Sequence, residues 1–327
     1  MPEKSAASPD PIIDSPLFRE WQDHRGLVID ACNDYEVIEC QRCGFRHILP
    51  VPTQEELERI YRREYYTVEK PLYLDRHRED LDWWNLVYDR LYSLFGKFLP
   101  PHRESRRILD VGSGPGFFLL HGRKLGWETL GIEPSAQAAA HSRELGLAVI
   151  EGFLDERMVE QPGNHRLLGT FDVVYLHEVL EHIPDPAGML GLIHRHLLDP
   201  GGLLCVIVPN DYNPLQRILC KSLNYQPWWL APPHHVNYFC FESLERCIRA
   251  AGFLPVHREA TFPMELFLLM GENYVGNDPV GRKVHGMRKT LELNLKAAGA
   301  GGLLTEFYSA LAGRGLGREC VVIATRP

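Results

Sequence analysis

The chain has 327 residues, of which 45% are hydrophobic and 24% are charged, and its formal net charge is −8 at pH 7. These values predict a globular protein with one large domain and additions, or with two domains. They argue against a broad nucleic-acid-binding surface. No apolar run approaches the ~20 residues of a membrane-spanning helix. The N-terminus has no hydrophobic signal segment, and the eight cysteines do not form a secreted disulfide pattern, so we expect a cytoplasmic protein.

Two cysteines stand out near the N-terminus. After residues 1–20, which predict a loose arm, a short strand runs into the motif Cys40-x-x-Cys43-Gly44. One such pair supplies two thiolates, whereas structural zinc takes four ligands. The nearby residues that could complete a site are Cys32, His47 and His24. Because a second Cys-x-x-Cys is absent, we favour two reduced thiols in a small β-hairpin, and a zinc site is the alternative.

Helical signals follow the cysteine motif. Thr53 and Glu56 have the spacing of a capping box, which predicts the start of a helix. Aromatic residues come next, among them Tyr65 and Tyr66, and a second helix is predicted over residues 78–98. An aromatic stripe at helical spacing is typical of core packing, and the alternative is a lid over the mouth of a cofactor site.

Strand and helix signals alternate in the middle of the chain. The strand signals lie at residues 107–111, 129–133, 148–150, 171–176 and 203–208, with later ones at 255–261 and 319–324. This alternation predicts a doubly wound, parallel sheet with helices on both faces. The predicted domains are an arm with a cysteine-containing β element (1–51), a helical lid segment (52–104), a core (105–262), and a helical insertion with the final strand (263–327).

A glycine-rich turn, Asp110-Val111-Gly112-Ser113-Gly114-Pro115-Gly116, follows the first core strand. Glycine permits positive φ there and lets a ligand approach the backbone closely. Glu133 ends the next strand, where a carboxylate can accept hydrogen bonds from both hydroxyls of a ribose. Phe117 stands where a dinucleotide fingerprint has its third glycine. The fourth strand runs into residues 177–186, which read His-Glu-Val-Leu-Glu-His-Ile-Pro-Asp-Pro.

As a set, these motifs resemble the class I S-adenosylmethionine-dependent methyltransferases, and among them the UbiE/UbiG-type small-molecule enzymes, over roughly residues 105–255. The resemblance implies a Rossmann-like core with a mostly parallel, seven-stranded sheet. It implies S-adenosylmethionine as the cofactor. The residues it implies for cofactor binding are Asp110, Gly112, Ser113, Gly114, Gly116, Phe117, Glu133, Pro134, Phe153, His177 and Glu178.

A second cluster, His234-His235-Val236-Asn237-Tyr238-Phe239, follows the fifth strand. It resembles the His-x-x-Tyr-Phe element of sugar methyltransferases that also carry an N-terminal cysteine-rich zinc module. The resemblance implies that His235 is a general base. We expect Tyr238 and Glu178 to be catalytic with it, and His182, His234 and Asn237 to contact the acceptor. The alternative is that the histidines only hold loops and shape the pocket.

The sequence therefore predicts an enzyme that transfers a methyl group to a small-molecule or nucleotide-sugar acceptor. In-line displacement at a carbon activated by a sulfonium needs mainly alignment. A histidine base is needed only where the acceptor must lose a proton. The alternatives are a nicotinamide-dependent oxidoreductase, and a cofactor-binding module without catalysis. We expect no nucleic-acid or membrane partner, and residues 263–316 to form either a homodimer surface or a cover over the acceptor.

Overall fold

The computed structural model describes residues 23–61, 73–101 and 106–327. The predicted arm, Tyr65 and Tyr66 lie outside these residues. The strands are β1 (Gly26–Cys32), β2 (Tyr35–Cys40), β3 (Arg46–Leu49), β4 (Arg107–Val111), β5 (Glu128–Glu133), β6 (Ala148–Glu151), β7 (Phe171–His177), β8 (Leu198–Pro209), β9 (Asn237–Tyr238), β10 (Leu254–Ala260) and β11 (Glu319–Thr325).

The α-helices of the described residues surround these strands. They are α1 (Gln54–Arg59), α2 (Tyr73–Glu79), α3 (Leu81–Phe98), α4 (Phe117–Lys124), α5 (Ala136–Glu144), α6 (Glu156–Glu160), α7 (His165–Leu168), α8 (Pro186–Leu192), α9 (Pro214–Leu223), α10 (Phe241–Ala250), α11 (Glu265–Leu269), α12 (Asp278–Ala297) and α13 (Gly301–Gly313). Among the residues described, no helix combines the length and the apolar composition that crossing a membrane requires.

The larger sheet has seven strands in the order β10-β11-β8-β7-β4-β5-β6. The five strands from β8 to β6 run parallel, whereas β11 is antiparallel to both of its neighbours. Alternate residues of one strand enter different buried clusters: Leu109 and Val111 lie in one, and Ile108 in the other. Burial on both faces explains why these strands appear in the sequence as continuous apolar runs. The predicted doubly wound, mostly parallel sheet is confirmed.

A smaller sheet contains the cysteine motif. Its strands pair antiparallel in the order β1-β2-β3-β9. The hairpin predicted around the motif is therefore present, but its sheet also takes in a strand from far along the chain. Arg46 pairs with Tyr238 and His47 with Asn237. The cysteine motif and residues 234–239 are thus joined by one strand pair, a contact that no local sequence signal predicts.

The helices after the small sheet begin where side-chain caps predict. The Thr53 side chain accepts a hydrogen bond from the Glu56 N–H at 3.3 Å, and the Glu56 carboxylate accepts one from the Thr53 N–H at 2.8 Å. The single helix predicted over 78–98 is instead two helices, α2 and α3, which we call the lid helices. The break falls at Asp80, whose buried carboxylate binds three basic side chains of α12: Arg282, His285 and Lys289.

Helices α11, α12 and α13, which we call the insertion helices, connect β10 to β11. They are fixed to the lid helices through Glu292, which is 2% exposed. Its carboxylate accepts hydrogen bonds from the Trp83 indole at 2.7 Å and from the Tyr308 hydroxyl at 2.6 Å. The Arg288 guanidinium lies 4.4 Å from the centre of the Trp83 ring. The insertion helices therefore pack on the lid helices.

Helices α3 and α4 approach closely at a glycine, and this yields a first prediction. A Cβ atom on Gly122 would lie 2.0 Å from the hydroxyl oxygen of Tyr92, a buried side chain. We expect Gly122→Ala to force the helices apart and to lower the free energy of unfolding by about 1–3 kcal/mol, measured by urea denaturation. The control is Gly286→Ala in α12, where a Cβ meets nothing within 4 Å. It should raise stability by about 0.5–1 kcal/mol, and similar losses in both variants would contradict the close approach.

Candidate cofactor and acceptor site

A cavity of about 1130 Å³ lies at the carboxyl ends of the parallel strands. This is the edge of the sheet where doubly wound folds bind ligands. Ten of the eleven residues predicted to bind the cofactor line it: Asp110, Gly112, Ser113, Gly114, Phe117, Glu133, Pro134, Phe153, His177 and Glu178. The lid helices and α12 contribute further lining residues, so the insertion helices cover the cavity.

The carboxylate of Glu133 joins the two turns that form one wall. One oxygen accepts a hydrogen bond from the Gly114 N–H and the other from the Ser135 N–H, each at 2.7 Å. Burial raises the pKa of Glu133 to about 7, although both backbone N–H groups act in the opposite direction. Each carboxylate oxygen has a second lone pair, so the group can still accept hydrogen bonds from the hydroxyls of a ribose.

Gly116 is the exception among the predicted cofactor residues, since it does not line the cavity. It has a φ of 86° and begins α4. A Cβ atom there would lie 2.6 Å from both Leu147 Cδ1 and Ser142 Oγ. The structure thus explains Gly116 by close packing: the turn lies against Ser142 of α5 and against Leu147, which follows α5.

Ionisable groups form the base of the cavity. Burial raises the pKa of Asp110 well above its usual value; the charge of Glu133 adds to this, and that of His177 opposes it. The His177 Nε2 atom lies 3.4 Å from a carboxylate oxygen of Glu319. Burial lowers the pKa of His177, but the hydrogen bond to Glu319 and its charge outweigh burial and raise it. Glu319 was not predicted; it is the first residue of β11, the strand next to β8.

Glu178 has an unusual backbone. Its φ is 52°, in the left-handed region that is rare for residues other than glycine. Its N–H donates a hydrogen bond to the carbonyl of Ile207 at 2.9 Å, which fixes the turn on β8. Such a conformation costs on the order of 1–3 kcal/mol and is commonly found at functional sites. The strain therefore agrees with the predicted place of Glu178 at the cofactor mouth.

Asp155 is a lining residue that the sequence prediction missed. It follows Phe153 in the loop after β6, and both residues line the cavity. Its Oδ1 atom accepts a hydrogen bond from the Met158 N–H at 2.7 Å, which caps α6. An aspartate directly before a helix is a recognised N-cap signal, and this signal could have identified Asp155.

His182 lines the cavity in a fixed orientation. Its Nδ1 atom lies 2.7 Å from the carbonyl oxygen of His234. A carbonyl can only accept, so the proton must lie on Nδ1 and the lone pair on Nε2. The Tyr61 hydroxyl is 2.8 Å from the same Nδ1 and donates to the same carbonyl at 3.0 Å. The imidazole of His182 is thus held by groups from two other segments of the chain.

The other predicted acceptor residues, His234, His235, Asn237 and Tyr238, do not line the cavity. Pairing of β9 with β3 turns Tyr238 into a buried cluster, where its hydroxyl accepts from the Ala231 N–H at 3.3 Å. The Asn237 amide donates to the carbonyls of Leu180 and Ile183 at 3.0 and 2.7 Å. His235 makes an edge contact with His182, with ring centres 5.0 Å apart. Residues 234–238 therefore form the support behind His182.

Further lining residues come from the lid and the insertion, among them His77, Arg288 and Arg318. The His77 ring is stacked between Trp84 and Phe117, at centroid distances of 4.9 and 4.0 Å. Burial lowers the pKa of His77 to about 4, so this imidazole is neutral at pH 7. Nothing in the local sequence distinguishes these residues from ordinary helix positions.

Four of the five residues considered for metal binding come together outside the cavity. His24, Cys40, Cys43 and His47 are buried and offer ligand atoms that all lie within 4.8 Å of one another. Cys32 lies at the opposite end of β1, where it pairs with Tyr35, whereas Cys40 pairs with Gly26 at the start of that strand. Cys32 is therefore not part of this group, and His24 takes the fourth position.

Comparison with known proteins identifies a family. The sequence profile of a family described as "Methyltransferase domain" matches residues 83–258. The ubiquinone biosynthesis O-methyltransferase of Proteus mirabilis is 30% identical over 151 residues, which cover 39% of this chain and 58% of that protein. The enzyme of the same name from Pseudomonas aeruginosa is 37% identical over 102 residues, 30% of this chain and 41% of that protein. The matches thus span about half the length of these relatives.

Solved structures were also compared. A SAM-dependent methyltransferase from Archaeoglobus fulgidus is 18% identical, with a TM-score of 0.45, over 73% of this chain and 93% of that one.

The raised pKa of Glu133 gives a prediction for ligand binding. Ribose hydroxyls donate to the ionised carboxylate, so a nucleoside ligand must displace the proton that Glu133 holds below pH 7. Affinity for S-adenosylhomocysteine should then be constant above about pH 7 and fall by up to about tenfold per pH unit below it. Calorimetric titration between about pH 5.5 and pH 8.5 measures this dependence.

Glu133→Gln is the matched control for this titration. The variant should bind more weakly, by about 1.5–3 kcal/mol. It should also lose the pH dependence that Glu133 causes, whereas a pH dependence caused by His177 would remain. An equal slope in the wild type and the variant would show that another group titrates.

Proposed function

This chain belongs to the class I S-adenosylmethionine-dependent methyltransferase family, and we propose that it transfers the cofactor's methyl group to a small-molecule acceptor. The observation that supports this most strongly is the buried Glu133 carboxylate, bound to the Gly114 N–H beside the glycine turn. It offers hydrogen-bond acceptors to a ribose, in a wall that also contains the turn. The cofactor would lie along this wall, with its methionine part towards Asp110 and His177 and its adenine towards Phe153 and Asp155.

The size of the cavity supports a small acceptor. Sites for a single drug-sized ligand have volumes of ~300–1,000 Å³, so about 1130 Å³ leaves room for a small molecule beside the cofactor. The lid and insertion helices cover this space. A nucleotide-linked sugar remains within the proposal, and Arg288 and Arg318 are lining cations that suit its phosphates. The net charge of −8 favours acceptors other than nucleic acid. Cytoplasmic location and a homodimer stay predictions.

His182 is the base that the geometry favours when the acceptor must lose a proton. Its Nδ1 proton is engaged by the His234 carbonyl at 2.7 Å, and its Nε2 atom, which lies 3.8 Å from a carboxylate oxygen of Glu181, is the atom that would take the acceptor's proton. S-adenosylmethionine, when bound, would supply a methyl carbon activated by its sulfonium, and His182 would take the proton that the acceptor atom loses when it is aligned with that carbon. His235, the base predicted from the sequence, lies against the His182 ring and would act by holding it in place.

Two measurements test the proposed activity. Calorimetric titration should show binding of S-adenosylmethionine and no binding of NADH, because Phe117 replaces the third glycine of a dinucleotide fingerprint. Transfer of a labelled methyl group is then assayed against a panel of small phenols, amines and nucleotide-linked sugars. Binding of NADH alone would favour an oxidoreductase. Binding of S-adenosylmethionine without turnover on any class of acceptor would favour a binding module.

The two histidines make separable predictions. His182→Gln should lower kcat by about 10²–10⁴-fold, with unchanged affinity for S-adenosylhomocysteine, and should remove the loss of rate at acidic pH that a histidine base produces. His235→Gln should lower kcat less and keep that pH dependence, since it removes a ring contact with His182 and leaves His182 itself in place. A loss of the acidic limb in His235→Gln, with His182→Gln close to wild type, would restore His235 as the base.

A further inference from the structure

The strongest feature outside the cavity is the buried group formed by His24, Cys40, Cys43 and His47, which we call the four-ligand group. Its atoms converge on one point. His24 Nδ1 lies 3.2 Å from His47 Nε2, 3.2 Å from Cys43 Sγ and 3.6 Å from Cys40 Sγ. One ring nitrogen carries at most one proton, so a proton on Nδ1 can serve only one of these three neighbours. A cation at the centre would contact all four.

The distances match the geometry of zinc. Zn–N bonds of ~2.0–2.1 Å and Zn–S bonds of ~2.3 Å at tetrahedral angles place two nitrogens about 3.3 Å apart, and a nitrogen and a sulfur about 3.6 Å apart. The observed separations of 3.2, 3.2 and 3.6 Å lie close to these values. Two thiolates and two imidazoles are a donor set that selects zinc over magnesium or calcium. Four protein ligands fill the tetrahedron, which is typical of a structural site.

Neighbouring groups orient the ligands in the way that zinc sites require. His47 Nδ1 donates to the carbonyl of Ile48 at 2.9 Å, which directs the lone pair of Nε2 into the group. The Cys43 N–H donates to Cys40 Sγ at 3.5 Å, a contact that stabilises a thiolate. Such hydrogen bonds fix the tautomer of a ligating histidine and the position of a ligating sulfur.

The four-ligand group is coupled to the cavity through one strand pair. His47 lies in β3 and pairs with Asn237 of β9. The next N–H of β3, that of Ile48, donates to the Val236 carbonyl at 2.9 Å, and the Val236 N–H donates to the Glu181 carbonyl at 2.8 Å. Only one residue separates Val236 from His234, whose carbonyl orients His182. A displacement of β3 would therefore move the support of that imidazole.

We propose that His24, Cys40, Cys43 and His47 bind one structural zinc ion, and that this ion holds the β3–β9 pair which orients His182. The zinc site and its effect on β9 stand without any assumption about methyl transfer. Only the expected change in kcat rests on the proposed function.

Metal analysis tests the site first. Protein purified without chelators should contain one zinc per chain, and X-ray absorption on the wild type should give two sulfur ligands at ~2.3 Å and two nitrogens at ~2.0–2.1 Å. Cys43→Ser and His24→Gln should lose the metal, while the matched control Cys32→Ser should keep it. Substoichiometric zinc in the wild type, four sulfur ligands, or loss of zinc in Cys32→Ser but not in His24→Gln would overturn the assignment. The wild-type spectrum needs no variant to fold.

Hydrogen exchange tests the coupling. Removal of zinc from the wild type by a chelator should speed amide exchange in the peptide that contains residues 234–240, and zinc addition should reverse it. Affinity for S-adenosylhomocysteine should change less than about threefold, while kcat falls on the order of 100-fold, the cost of misplacing a reacting group by about 1 Å. Unchanged exchange at 234–240 in zinc-free, folded protein would overturn the coupling. If no methyl transfer is found, the metal and exchange results still decide the inference.

Discussion

The candidate site depends on one buried carboxylate with two hydrogen bonds. Glu133 accepts an N–H from Gly114 in the turn after β4 and an N–H from Ser135 in the turn after β5. These turns follow adjacent strands, so the carboxylate fixes their spacing and with it one wall of the cavity. The same burial that makes these bonds strong also raises the pKa of Glu133 to about 7. Burial thus fixes the position of the Glu133 carboxylate, and it also makes this group easier to protonate.

The fold was largely predictable because its signals are local. Strands buried on both faces appear as apolar runs, as in Leu203 to Val208, and the capping box at Thr53 marks a helix start within four residues. The cofactor wall was predictable for the same reason, since the glycine turn and Glu133 each follow a strand whose end can be located. Gly116 shows the limit: a glycine pattern does not distinguish close approach to a ligand from close packing against Ser142.

What could not be predicted depends on pairs of residues far apart in the sequence. The lid helices meet at Asp80, whose carboxylate binds three basic residues of α12 that lie about 200 positions later in the chain. The positions of His182 and His235 likewise depend on the pairing of β9 with β3: His182 lines the cavity, and residues 234–238 do not. His24 and Cys32 were both candidates to complete the four-ligand group, and only the pairing of β1 with β2 distinguishes them. Each case is a contact of tertiary structure that leaves no periodic trace in the chain.

The position of β11 in the sheet has a consequence for how the protein is made. This strand lies between β8 and β10, and it follows both of them and the insertion helices in the chain. Without residues 319–325, β8 and β10 would each present an unpaired row of backbone N–H and C=O groups on the edges that face this gap. Open edges of this kind recruit other strands. The sheet can therefore close only after its last strand has been synthesised, and a chain that lacks this strand would be open to intermolecular pairing.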